Sequence, residues 1–119
     1  MENERGILAK ASIEGKFYTI KPVREAFGTA YLAVLEAINE NLIKKGILEK
    51  ELPKSVDEYR KILRKYLAVH NSKLLKEFEI LYDSLHIYGY YQGGIYNVHA
   101  VKDYLAAARD FVNKLSVVL

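Results

Sequence analysis

Between Val23 and Leu42 the apolar residues return every three or four positions: Val23, Phe27, Ala30 or Tyr31, Val34, Ile38 and Leu42. That rhythm places them on one face of a helix and leaves a strand no consistent buried side. Pro22 suits the first turn, where its missing N–H costs nothing, and Gly46 closes the helix after Lys44 and Lys45. A second stripe through Ala26, Ala33 and Ala37 is made of small side chains. Small residues let a neighbour approach closely, so this helix is expected to be central and contacted on more than one side.

The remaining punctuation gives the other elements. Residues from Glu2 to Glu14 carry Ile7, Leu8, Ala11 and Ile13, which predicts a short N-terminal helix stopped by Gly15; Lys16 to Ile20 is a connector whose aromatics pack back on the core. Ser55-Val56-Asp57-Glu58 is a capping box, and Val56, Tyr59, Leu63, Tyr66 and Leu67 follow as a buried stripe ending near His70-Asn71. A helix capped by Asn71 or Ser72 carries Leu74, Phe78, Leu81 and Leu85 to about Tyr88. The last begins at Tyr96 or Asn97 and runs through Val101, Tyr104 or Leu105, Ala108, Phe111 or Val112, and Leu115, with Asp110 and Lys114 as an exposed pair. No strand is expected. Short connections favour antiparallel neighbours, so the fold class is all-α: an antiparallel four-helix up-and-down bundle with a short extra N-terminal helix, one domain over residues 1–119.

Composition narrows the functional classes. There is no cysteine, which excludes disulfides and thiolate metal sites and fits a reducing compartment. No apolar run reaches the ~20 residues of a membrane span, and the N-terminus is too acidic for a secretory signal. The expected location is the cytoplasm, with no membrane partner. The net charge of +3 is mild and neither requires nor forbids nucleic acid.

The unusual count is tyrosine, ten residues against four Phe and no Trp, and five of the ten fall between Leu81 and Tyr96. Tyrosine has a flat apolar body and a polar tip, which suits surfaces that meet a partner or stack on a ring. Tyr82, His86, Tyr88, Tyr90, Tyr91 and Tyr96 are therefore the candidate binding or interface residues. Arg60, Lys61, Arg64 and Lys65 form two i,i+4 pairs on one helix and are the candidate phosphate contacts. His70, His86 and His99 lack the spacing of a metal-binding helix, and nucleophile-elbow and phosphate-loop motifs are absent. No catalytic residue, metal or cofactor is expected.

The stretch from Val23 to Leu35 (VREAFGTAYLAVL) resembles the signature helix of the HEPN superfamily of small helical nucleotide-binding proteins, and looks most like an uncharacterised bacterial branch of it. Leu81-Tyr82-Asp83-Ser84-Leu85-His86, a tyrosine-bearing turn and Val101 to Leu115 are similar to that superfamily's last two helices. Active members are metal-independent ribonucleases with an arginine separated from a histidine by four to six residues. Here His86-Ile87-Tyr88 matches the end of the pattern, but Glu79, Ile80 and Leu81 stand where the arginine belongs. Arg64 and His70 have the spacing but lie one helix too early. Without that cation little would stabilise charge on a transferred phosphate, so the resemblance implies the fold and a dimer rather than the nuclease. The sequence thus predicts an uncharacterised, non-catalytic, self-associating interaction module that forms a homodimer. The alternative is a HEPN-like nucleotide- or RNA-binding protein, with unconventional ribonuclease activity as its extreme form. Association with a different protein partner is a weaker third reading.

Overall fold

A computed structural model describes residues 20–66 and 72–117, the strand residues 13–14 and 17–18, and Ile7. Strand β1 (Ile13–Glu14) pairs antiparallel with β2 (Phe17–Tyr18), Ile13 opposite Tyr18 and Glu14 opposite Phe17. The other elements of the described residues are helices: α1 (Ile20–Lys44), a 3₁₀ turn (Glu49–Glu51), α2 (Val56–Tyr66), α3 (Ser72–Leu81), a π-helical segment (Tyr82–Tyr91) that continues α3, and α4 (Val98–Val117). Among the described residues no helix is long and apolar enough to cross a membrane.

The apolar rhythm of α1 is its buried face. Val23, Ala26, Phe27, Ala30, Tyr31, Val34, Ile38 and Leu42 are buried, and the helix packs against both the π segment and α4. Leu74, Phe78, Leu81 and Leu85 meet this face, as do Val101, Leu105, Ala108, Phe111 and Leu115, while Tyr59 and Leu63 close one side. Truncating a side chain as enclosed as Phe27 to alanine costs about 3–5 kcal/mol.

The ends follow from local chemistry. Gly46 takes a positive φ of 98°, and the Ile47 N–H donates to the Leu42 carbonyl while the Gly46 N–H donates to Ile43. This pair of bonds is a Schellman closure, and it satisfies carbonyls that the end of α1 would otherwise leave open. At the start of α2 the Glu58 N–H donates to Ser55 Oγ, and the Ser55 hydroxyl donates to the Glu58 carboxylate. At the start of α4 Asn97 Oδ1 accepts the Ala100 N–H.

Four expectations are corrected. The N-terminal helix expected over Glu2–Glu14 gives way at its end to strand residues Ile13 and Glu14; Ile7 is helical, and the rest of that segment lies outside the described residues, as do the side chains of Phe17 and Tyr18 and the stretch 67–71 with Leu67, His70 and Asn71. The helix expected to stop near Tyr88 continues to Tyr91 as a π-helix. Lys114 pairs with Glu77 on α3 at 2.7 Å and not with Asp110, because an interhelical carboxylate is within its reach. The strict up-and-down order also fails. Asn41 near the end of α1 bonds the Leu115 carbonyl near the end of α4, so these two helices run the same way. Arg24 near the start of α1 reaches Tyr90 and Tyr91 at the end of the π segment, so the α3–π rod runs the opposite way. Arg60 on α2 pairs with Glu79 while Arg64 lies by Leu75, so α2 opposes α3 and runs with α1. Residues 45–55, including the 3₁₀ turn, are long enough to return the chain before α2 begins.

Candidate functional site

The tyrosine-rich stretch is positioned by a close approach of backbone to ring. A Cβ on Gly89 would lie 2.6 Å from the Phe27 ring and 2.7 Å from the Ser84 carbonyl oxygen, so only glycine lets the π segment sit this near α1. The Ser84 hydroxyl donates to the Ile80 carbonyl at 2.7 Å, and the Gln92 N–H donates to the Ile87 carbonyl, the wide i,i−5 step of a π-helix. The far end is fixed by Arg24, whose Nε and Nη2 donate to the carbonyls of Tyr90 (2.8 Å) and Tyr91 (2.9 Å). A cation there meets the negative end of the segment's dipole and satisfies carbonyls left without helical partners.

Along the seam between α1 and the π segment the aromatic rings form a ladder. His86 stacks on Tyr31 of α1, with centroids 4.7 Å apart and planes 20° apart. Tyr90 continues on one side of His86 at 6.2 Å, and Tyr82 on the other at 5.6 Å. The guanidinium of Arg60 covers the Tyr82 ring at 5.2 Å. The same guanidinium is held by Glu79 through two bonds, of 2.6 and 3.1 Å, and by Asp57 at 2.8 Å. Those carboxylates, Glu79 foremost, raise its already high pKa, so it is a permanent cation. Burial, joined by the neighbouring phenols of Tyr82 and Tyr59 and by Glu79, pushes the Tyr31 phenol up to about 12 against the opposing pull of Arg60.

Beside the ladder lies a cleft of about 520 Å³. One wall is the α1 stripe Glu25, Gly28, Thr29 and Leu32, at the i, i+3, i+4, i+7 spacing of one helical face; the other is His86 and Tyr90, with Tyr31 and Ile7 completing it. The Tyr90 ring rests directly over Gly28.

The structure divides the candidates read from the sequence. Tyr82, His86 and Tyr90 come together in the ladder. Tyr88, Tyr91 and Tyr96 stand outside it, with 52%, 71% and 38% of their surface exposed. Of the four cations, Arg60 reaches the ladder and also lines, with Lys61, Arg64, Asp57, Leu75 and Glu79, a groove on its other side; Lys65 lies over the Tyr66 ring at 5.1 Å. His99 is exposed on α4, away from the lining of the cleft. Among the described residues no group of three or more histidines and carboxylates is gathered for a metal ion. Sequence reading missed the site roles of Tyr31, Glu79, Glu25 and Arg24. Tyr31 was visible only as a core position, and nothing near Arg24 in the chain signals that its partners are distant carbonyls.

A family model covers residues 1–117. The chain belongs to the family described as domain of unknown function (DUF5618). A solved structure, described as a protein of unknown function from Dyadobacter fermentans, is similar to this DUF5618 chain with a TM-score of 0.78 at 30% identity, over 99% of this chain and 89% of that one. No curated protein matches it. These comparisons give no support to the HEPN resemblance.

Proposed function

We propose that this DUF5618 chain is a non-catalytic interaction module, a one-domain four-helix bundle that pairs with a second copy of itself through the exposed tyrosine end. The observation that carries the reading is the run Tyr88, Tyr91 and Tyr96, three large amphipathic rings left on the surface within one turn of the fold. Arg24 draws the start of α1 to the same end, and Ile20, one turn before it, is exposed as well. Aromatic residues that are costly to hydrate are enriched at the centres of protein interfaces. The cysteine-free composition suits work in the cytoplasm.

The test is sedimentation equilibrium over a concentration series. A monomer–dimer equilibrium in the micromolar range supports the reading, and a monomer throughout the high micromolar range removes it.

The HEPN-like reading, with RNA or a nucleotide as ligand, has less behind it. Arg60, the cation nearest the stacked rings, is held by two carboxylates, and the groove beside Lys61 and Arg64 carries those same carboxylates. A phosphate would meet repulsion there as well as attraction. Salt-sensitive binding of single-stranded RNA, lost on Arg64→Ala, would restore this reading.

A further inference from the structure

We infer that the cleft between α1 and the π segment binds a small planar aromatic cation. The inference goes beyond self-association and uses other side chains: Glu25, Thr29, His86 and Tyr90 rather than Tyr88, Tyr91 and Tyr96.

The volume of about 520 Å³ is in the range of small-molecule sites. The walls are mostly apolar and aromatic, and polar groups sit at a few points, the combination that orients a small ligand. The Tyr31 and His86 rings lie within 20° of parallel, and His86 and Tyr90 within 19°. Tyr31 is buried beneath His86, so a flat ring entering the cleft meets His86 and the exposed Tyr90, two rings of nearly common orientation, and gains offset stacking.

Charge selects among flat ligands. Among the described residues the lining holds one carboxylate, Glu25, and no lysine or arginine. Glu25 makes no ion pair with another described residue. Arg24, the nearest cation in sequence, is turned to the carbonyls of Tyr90 and Tyr91. A ligand ammonium or amidinium can thus face Glu25 while the negative ring face of Tyr90 lies close by, and both attractions have the same sign. An anion of the same shape meets the repulsion of Glu25 and finds no lysine or arginine among the described lining residues. This polarity also separates the cleft from a phosphate site, which needs donors and cations.

The experiment uses the full chain and matched probes: tryptamine, indole-3-acetate and 2-cyclohexylethylamine, followed by amide chemical shifts. Tryptamine should bind with Kd of about 1 mM or tighter. The shifts should centre on Gly28, Thr29 and His86. Affinity for indole-3-acetate and for cyclohexylethylamine should be roughly tenfold weaker. Glu25→Gln should erase the preference for the amine, and Glu25→Lys should reverse it; both changes are on an exposed helical position, and an unchanged circular dichroism spectrum checks the fold. Three results would overturn the inference: equal binding of the indole anion, equal binding of the saturated amine, or tryptamine shifts that map elsewhere or do not saturate by ~5 mM. None of these depends on whether the protein is a monomer or a dimer.

Discussion

The rings of Tyr31 and His86 stack with centroids 4.7 Å apart, joining the central helix to the π segment by a contact between side chains that neither strand pairing nor a salt bridge supplies. Aromatic pairs of this geometry contribute about 0.5–1.5 kcal/mol beyond their burial. A double-mutant cycle with Tyr31→Leu and His86→Leu should return a coupling near the lower half of that range by urea denaturation. Additive effects would mean that the two rings are neighbours without interacting.

The buried phenol of Tyr31 gives stability a pH dependence. Its pKa rises from 10.0 to about 12, chiefly through burial, so the folded state holds this proton more tightly than the unfolded chain. The stabilisation is complete below about pH 10 and disappears as pH climbs through about 12. Burial raises the Tyr59 phenol too, and its contribution has the same sign. Urea midpoints should fall across this window, and Tyr31→Phe should flatten part of the fall. A midpoint that rises with pH there would contradict the assignment.

At Gly89 the seam leaves no room for a side chain. In Gly89→Ala the new methyl would meet the Phe27 ring and the Ser84 carbonyl at under 3 Å, and backbone cannot yield as a flexible side chain does. The expected cost is about 1–3 kcal/mol, with loss of the Tyr31–His86 stacking contact. Thermal unfolding monitored by near-ultraviolet circular dichroism reads both effects. An unchanged Tm with an unchanged aromatic signal would show that the segment has room to spare.

Asn41 interrupts the apolar face of α1 for a stated reason. Its Nδ2 donates to the Leu115 carbonyl at 2.9 Å, while Oδ1 is buried with no protein donor. Asn41→Asp replaces the donor with a buried acceptor facing a carbonyl, and should cost about 2 kcal/mol or more. The loss should shrink at low pH, where the carboxyl is protonated and can donate. Equal stability of the two proteins at neutral pH would show that the bond contributes nothing.

How far the sequence leads is seen residue by residue. The stripe from Val23 to Leu42, the Gly46 closure and the Ser55–Glu58 box could all be read, because each depends on neighbours within a few positions; the start of α4 was read only as Tyr96 or Asn97. The π segment could not: no residue in Tyr82–Tyr91 marks a π- rather than an α-helix, and the close contact of Gly89 with Phe27 is one between residues far apart in the chain. Lys114 had two carboxylates to choose from, and only the packing of α3 against α4 decides for Glu77. The parallel course of α1 and α4 hangs on the return path of residues 45–55, which no local signal fixes. Within the candidate site, tyrosine composition pointed to Tyr82, His86 and Tyr90 but missed that Tyr31 and Glu25 face them from α1.

Self-association is tested most directly by light scattering on size-exclusion chromatography, comparing the natural protein with the double variant Tyr88→Asp, Tyr91→Asp. Both tyrosines are exposed, so the variant should keep its helical spectrum. A dimer mass for the natural protein at micromolar concentration, falling to the monomer mass in the variant, is the predicted result. A natural protein that elutes as a monomer, or a variant that stays dimeric, would contradict it.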